Sequence, residues 1–435
     1  RLREATEAKG LSLAPRLPLY PEYVAQPDRW LSENLRVPTL QRTDALGLAR
    51  EGFWASGDPQ SAPPESDLDF VTSVGLAKAS DSTVAEALKS VEACQELSED
   101  QIVALFSARG SGFAAVTQAA NDLRHTVNGE TVSYVVTRNI NYTNVCYFRC
   151  GFCAFSKGKL AENLRGPAYV VPIEEIVRRS REAWERGAVE VCLQGGIHPG
   201  FTGEDYLGIV AAIKRELPDL HIHAFSALEV FQGAATLGIR LDDYVGRLRE
   251  AGLASLPGTA AEILDDEIRA TLCPDKVNTT QWLEVHDAAH RAGLRSTTTI
   301  MFGSIETPRS WARHLIALRE QQQRSGGFTE FVPLPFVHME APMYLKGGAR
   351  KGPSFREAVL MHAVSRLALH PHITNIQASW VKLGVKGAKA CLQAGANDLG
   401  GTLMNESISR AAGATHGQEM PPERMEAAIA ELGRP

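Results

Sequence analysis

From Thr131 to about Gly401 the chain alternates short β-rich runs with amphipathic helices, and this alternation limits the fold more than any other feature. The runs TVSYVVTRNI, AVEVCLQGG, LHIHAFSA, LRSTTTIMFG, FTEFVPLPF, TNIQAS and ANDLGG read as strands. Between them, helix signals recur. Pro172 precedes a segment in which Ile173, Ile176, Val177 and Trp184 share one face, and Gly187 can end it. Other predicted helices end at Pro218, span Trp282 to Arg291, and start at Thr307-Pro308. Ser354 and Glu357 have capping-box spacing before a helix that stops near Pro371, and a further helix ends at Gly395. Apolar runs such as VEVCLQ suit a parallel sheet covered on both faces. Six to eight β–α units fit, so the expected fold is α/β: a full or partial (β/α)8 TIM-type barrel with a helical N-terminal extension and a C-terminal cap.

The flanks divide by composition. Residues 1–57 are dense in Pro, Trp and Tyr and read as loops and short helices, whereas 58–83, with GDPQSAPPESD at its head, reads as an exposed linker. Residues 84–130 are helical in pattern, with Ser98 opening a turn, and the barrel is expected over 131–402. The cap is expected over 403–435, with PPERMEAAIAEL as a short helix.

With 435 residues, 44% of them hydrophobic, the chain can bury a large core without a stapling disulfide or metal. A net charge of −6 gives no electrostatic reason to invoke nucleic acid or an anionic membrane. No apolar run is long enough to span a bilayer. The N-terminal RLREATEAKG is charged and unlike a signal peptide, and the chain opens on Arg1 without an initiator methionine. Seven cysteines, an odd number, do not suggest a secreted disulfide framework, so a reducing cytoplasm is the expected location.

Three of those cysteines stand together in NVCYFRCGFCAF: Cys146, Cys150 and Cys153, spaced C-x-x-x-C-x-x-C directly after the first predicted strand. That position is the C-terminal mouth of a barrel, where such folds place their chemistry. Three soft thiolates can hold three irons of a 4Fe–4S cube and leave the fourth iron open. Two other readings stand beside this one. The thiols could form a structural zinc site completed by His198 or His223, or they could be small buried residues. Phe148, Phe152 and Phe155 interleave them, as loop packing or as a shield against water.

The spacing resembles the signature of radical S-adenosylmethionine (SAM) enzymes. The segments RNINYTNVCYFRCGFCAFSKGK, LQGGIHP, FVPLPFVHMEAPMYLKG, NIQASWVKLG and AGANDLGGTLMNESISRAAGATHGQ extend the likeness to the CofH-type half of FO synthases, over residues 84–435. Residues 1–57 resemble the C-terminal tail of the CofG-type half, which precedes the CofH-type half in the fused enzymes. The resemblance implies that Cys146, Cys150 and Cys153 ligate a 4Fe–4S cluster whose open iron is chelated by SAM. It implies that the backbone of Gln194-Gly195-Gly196 meets the SAM amino group, where the bland alternative is a plain strand-to-loop turn. Ser226 and Glu229 are implied contacts of SAM or substrate; otherwise Glu229 is an acid favoured by the helix dipole. Phe155 is expected beside the adenine. Met301 to Glu306 matches the adenine-side segment but carries Phe302 and Gly303-Ser304 in place of a tyrosine and a Gly-His pair.

The implied reaction cleaves the Cα–Cβ bond of L-tyrosine through a 5′-deoxyadenosyl radical. The 4-hydroxybenzyl group then joins 5-amino-6-(D-ribitylamino)uracil, with an external electron donor and a CofG-type barrel as partners. Arg138, Asn139, Asn141, Asn144, His338, Glu340, Asn397 and Asn405 are candidate substrate contacts or, equally, partners of backbone groups at strand ends. The competing readings are a sibling enzyme of menaquinone synthesis, a non-catalytic Fe–S or zinc module, and an inactive remnant. By this resemblance, loss of residues 1–57 is expected to matter less for this half-reaction, because the segment belongs to the other barrel.

Overall fold

The computed structural model describes residues 20–50, 52–63, 68, 81–156 and 167–435. Among these residues there are eight strands: β1 (Ser133–Val135), β2 (Thr137–Ile140), β3 (Glu190–Leu193), β4 (His221–Ala224), β5 (Ser255–Leu256), β6 (Arg295–Phe302), β7 (Phe328–Pro335) and β8 (Asp398–Gly401). All ladders are parallel. β2 to β7 form one sheet in chain order, and β1 pairs with β8. The expected first strand is thus broken at Val136, so that its first half pairs with β8 and its second half with β3. Single-residue bridges Phe331–Ile376 and Gln377–Asp398 connect β7 to β8. They carry the sheet round to β1, which runs directly into β2, so the wall closes as the (β/α)8 reading expected. TNIQAS contributes only those bridges and is not a full strand.

Helices cover the outside. Their starts follow the sequence signals: Ser98 with Gln101 and Ser354 with Glu357 form capping boxes, and Thr307-Pro308 opens the helix Pro308–Ser325. The helix after Pro172 spans Ile173–Glu185, but its expected apolar face is only partly covered. Ile176 is buried, while Ile173 and Trp184 are exposed to 40% and 41%. The N-terminal helical segment resolves into Ser82–Glu92, Glu99–Phe106 and Ser111–Asn128. In the tail, Pro422–Ala430 packs beside the helix Trp380–Gln393. It therefore completes the outer helical ring, while the residues just after β8 lie over the mouth. No described helix is long and apolar enough to cross a membrane.

Residues 43–61 are bound tightly to the barrel. Trp54 is 1% exposed and meets Phe355 edge to face at 5.4 Å. The Arg50 guanidinium donates to the carbonyls of Gly352, Trp54 and Pro353. Asp44 accepts from Arg356 at 3.2 Å and also pairs with Arg109. Ser56 Oγ donates to the Phe336 carbonyl, Gly57 N–H donates to that of Lys382, and Thr415 N–H donates to that of Gly57. Residues 43–61 therefore pack as part of this barrel, which bears against the expectation that loss of 1–57 matters less for this half-reaction. An apolar Trp and a buried carboxylate here replace solvent over barrel groups, which is a structural role. The segment 58–83 falls mostly outside the described residues; its start forms a turn in which Ser61 Oγ accepts from Ala55 N–H and donates to the Asp58 carbonyl.

Candidate active site at the barrel mouth

A cavity of about 790 Å³ runs from the mouth into the lumen. Its upper wall contains Cys146, Cys150, Cys153, Phe155, Gln194, Gly195, Gly196, Ser226 and Glu229. The structure thus gathers the whole predicted cofactor set around one space.

The cysteine loop leaves β2 and turns across the mouth. Burial raises the Cys146 and Cys150 thiols above their usual range, as it must for sulfurs that water reaches poorly. Ser156 N–H points at Cys153 Sγ at 3.4 Å. The spacing of the sulfurs separates the metal readings. Among the described residues the one group of three ligand atoms all within 4.8 Å of one another is Glu190, His221 and His223, so the three sulfurs are spread more widely. A single zinc with Zn–S bonds of about 2.3 Å needs sulfurs about 3.8 Å apart. That spread is wider than one ion takes, and three soft thiolates are a donor set suited to a multi-iron cluster. His198 instead accepts from Gly200 N–H and lies against Phe201, and His223 lies in the lumen.

The glycines are required by close approach. A Cβ on Gly196 would collide with the Val145 carbonyl and stand 3.0 Å from Cys146 Cβ. Gly196 N–H donates to the Thr143 carbonyl at 2.9 Å, locking the loop to β3. Gly196→Ala is accordingly expected to displace the Cys146 end of the loop. Iron content after reconstitution should fall by at least half and SAM cleavage at least tenfold, read by iron assay and 5′-deoxyadenosine formation.

Ser226 and Glu229 form a capping box at the start of the helix Ala227–Leu237. Glu229 is 1% exposed. Its carboxylate accepts from Ser226 N–H at 2.6 Å, from Gly195 N–H at 3.1 Å and from the Tyr142 hydroxyl. Burial raises its pKa against those hydrogen bonds. It ties the glycine segment to the helix as well as facing the cavity, so the functional and the helix-terminus readings both hold geometrically.

Met301 lines the cavity, but the segment after it serves the fold. The fully buried Glu306 carboxylate accepts from Ser304 N–H and Oγ, Ile305 N–H and Trp311 Nε1. Ser304 is spent on this knot.

The substrate candidates separate sharply. Asn139 lines the cavity. Arg138 instead pairs with Glu182 at 2.9 Å on the outer helix. Asn141 donates to the Gln194 carbonyl and accepts from Ser407. Asn144 clamps Pro167 and Tyr169, and Asn397 serves Arg366 and Ile376. His338 packs against Tyr344, Asn405 accepts from Gln418, and Glu340 N–H donates to the Ala412 carbonyl. These seven are not among the cavity-lining residues. Strand-end polar residues are used here mainly to satisfy backbone.

Sequence reasoning missed the rest of the lining. Lys276 pairs with Glu262 at 2.6 Å near Cys150. Lys382 and Glu406 stand at the mouth. At the lumen floor, Ser255 Oγ bridges His221 and His223 at 2.7 Å to each. Burial pushes His223 down to about 4. Burial, with Asp398 and Glu190 nearby, pushes Glu330 up to about 8. Only the H-x-H alternation on β4 could have signalled the floor, and it reads equally as strand patterning.

Comparison with known proteins follows this geometry. The radical SAM superfamily profile matches residues 140–317, and that of the CofH/MqnC C-terminal region matches 325–434. The 5-amino-6-(D-ribitylamino)uracil–L-tyrosine 4-hydroxyphenyl transferase of Methanopyrus kandleri is 51% identical over 73% of this chain and 85% of its own length. The chain belongs to the 4-hydroxyphenyl transferase family of radical SAM proteins. FO synthase of Streptomyces coelicolor is 42% identical over the whole chain, which spans 54% of that relative's length. The chain thus spans about half the length of the FO synthases it matches. Among solved structures, methylornithine synthase is similar with a TM-score of 0.62 at 19% identity, covering 80% of this chain and 96% of that one. The FeFe-hydrogenase maturase HydG also reaches 0.62, at 13% identity, covering 85% and 77%. These two share the fold with this family member. Membership of the radical SAM superfamily brings with it a 4Fe–4S cluster and SAM.

Proposed function

We propose that the chain transfers the 4-hydroxybenzyl group of L-tyrosine to 5-amino-6-(D-ribitylamino)uracil, a step in FO and deazaflavin coenzyme formation. The observation that carries the reading is the 51% identity to the Methanopyrus transferase over most of that enzyme, with the cysteine triad lining one cavity. The menaquinone-synthesis reading is not favoured, because the full-length matches are FO synthases.

Cys146, Cys150 and Cys153 would hold three irons and leave the fourth for SAM. When bound, cluster and SAM supply the 5′-deoxyadenosyl radical that starts cleavage of the tyrosine Cα–Cβ bond. The chain's own residues orient and shield. Gly195 and Gly196 allow the SAM amino end to approach backbone, Glu229 fixes their position, and Ser226 and Phe155 border the nucleoside end. The apolar stretch of Leu334, Phe336 and Val337 keeps water from the mouth. We further propose that 1–57 is the tail of a CofG-type half and that an external donor reduces the cluster. In this arrangement 58–83 is a linker, 84–130 a helical segment, 131–402 the catalytic barrel and 403–435 its cap.

The test is an anaerobic incubation of reconstituted protein with dithionite, SAM, L-tyrosine and ribityl-diaminouracil, followed by mass spectrometry. A tyrosine-derived hydroxybenzyl adduct with 5′-deoxyadenosine is the expected result. Deoxyadenosine without adduct would overturn the substrate assignment, and neither product from an intact cluster would overturn the catalytic one.

A further inference from the structure

Lys382 and Glu406 carry opposite charges, and both line the mouth of the cavity. Lys382 lies in the first turn of the helix Trp380–Gln393, and its ammonium donates to Ser409 Oγ at 2.8 Å. Two of its three N–H groups are left over. Glu406 is 5% exposed, and its carboxylate accepts from the backbone N–H of Ser409 at 2.8 Å and of Arg410. Its further lone pairs remain for a donor. Ser409 thus stands between a fixed cation and a fixed anion. Burial lowers the Lys382 pKa while Glu406 opposes that shift. Apolar Trp380, Val337, Ile408 and Ala412 border the same space.

We infer that Lys382 and Glu406 form the subsite that grips the zwitterionic end of an α-amino acid, Lys382 taking the carboxylate and Glu406 the ammonium. The inference rests on the transferase reading for naming tyrosine as that amino acid. An α-amino acid presents both charges on one carbon, which suits a cation and an anion held on one rim. The apolar border then receives the side chain, and the polar lumen floor stays free for the second substrate.

The test uses reconstituted holoenzyme with SAM and no reductant, so that binding is read without turnover. Labelled L-tyrosine is measured by equilibrium dialysis, beside tyramine, which lacks the carboxylate, and 3-(4-hydroxyphenyl)propanoate, which lacks the ammonium. Lys382→Met is expected to weaken tyrosine at least tenfold and tyramine less than twofold. Glu406→Gln should weaken tyrosine but not the propanoate, and Lys382→Arg should restore much of the loss. Iron content, melting temperature and SAM affinity report whether each variant is intact. Equal weakening of tyrosine and tyramine in intact Lys382→Met, or no weakening at all, would overturn the subsite. If the parent binds a different α-amino acid with the same Lys382 dependence, the subsite stands and the tyrosine reading fails. If it binds no α-amino acid, both fail.

Discussion

Cys150→Ala should abolish 5′-deoxyadenosine formation, by three orders of magnitude or more. Cys150 is the middle cysteine of the loop and the proposed second ligand, it lines the cavity, and burial raises its thiol. Thiolate ligation must reverse that penalty, so two remaining sulfurs are a poor substitute for three. Reconstituted parent protein should hold about four irons and four sulfides per chain. The variant should hold far fewer, and its absorption near the visible cluster band should fall with them. Its melting temperature before reconstitution should match the parent, because among the described residues no hydrogen bond of the fold uses that side chain. A variant that retained a full cluster and cleaved SAM at the parent rate would remove Cys150 from the ligand set.

The second large effect is structural. Trp54→Ala leaves a void between residues 43–61 and Phe355, at a cost of about 4 kcal/mol. A cooperative unit of this size has an unfolding entropy of about 0.9 kcal/mol/K, so the midpoint should drop by about 4 °C. Deleting residues 1–57 should do more. It strips the Asp44 carboxylate from Arg356 and Arg109 and uncovers the Phe336 and Lys382 carbonyls at the mouth. Low yield, a much lower midpoint and loss of SAM cleavage are expected together. A deletion that melted like the parent and cleaved SAM normally would show that this packing contributes nothing.

The framework was largely readable in the sequence because its signals are local. Pro, Ser and Thr at helix starts act within one turn, and β-branched runs declare strands. The cysteine triad was readable because its three members share one loop. The break at Val136 was not readable, because it arises from two different strands competing for the two halves of one run. The role of 43–61 was not readable either: its composition is that of a loop, and its partners lie some 300 residues away. Arg138 and Asn397 looked like site residues by type, yet which way a strand-end residue faces depends on barrel closure. Lys382 and Glu406 were missed for the converse reason. One opens a helix and the other follows β8, and only the closed wall brings them to one rim.

The open cavity that runs through the strands, with charged groups at its floor, has an evolutionary corollary. In a barrel whose centre is packed solid, each inward side chain contributes to folding. Here Glu190, His223, Glu330 and Asp398 face open space, and the apolar mass lies between the wall and the outer helices. Inward positions are thereby released from the demands of folding and can drift or be selected independently of it. Lineages built on this frame can exchange one chemistry for another by changing the lining while the shell persists, which accords with a shared architecture at 13% and 19% identity.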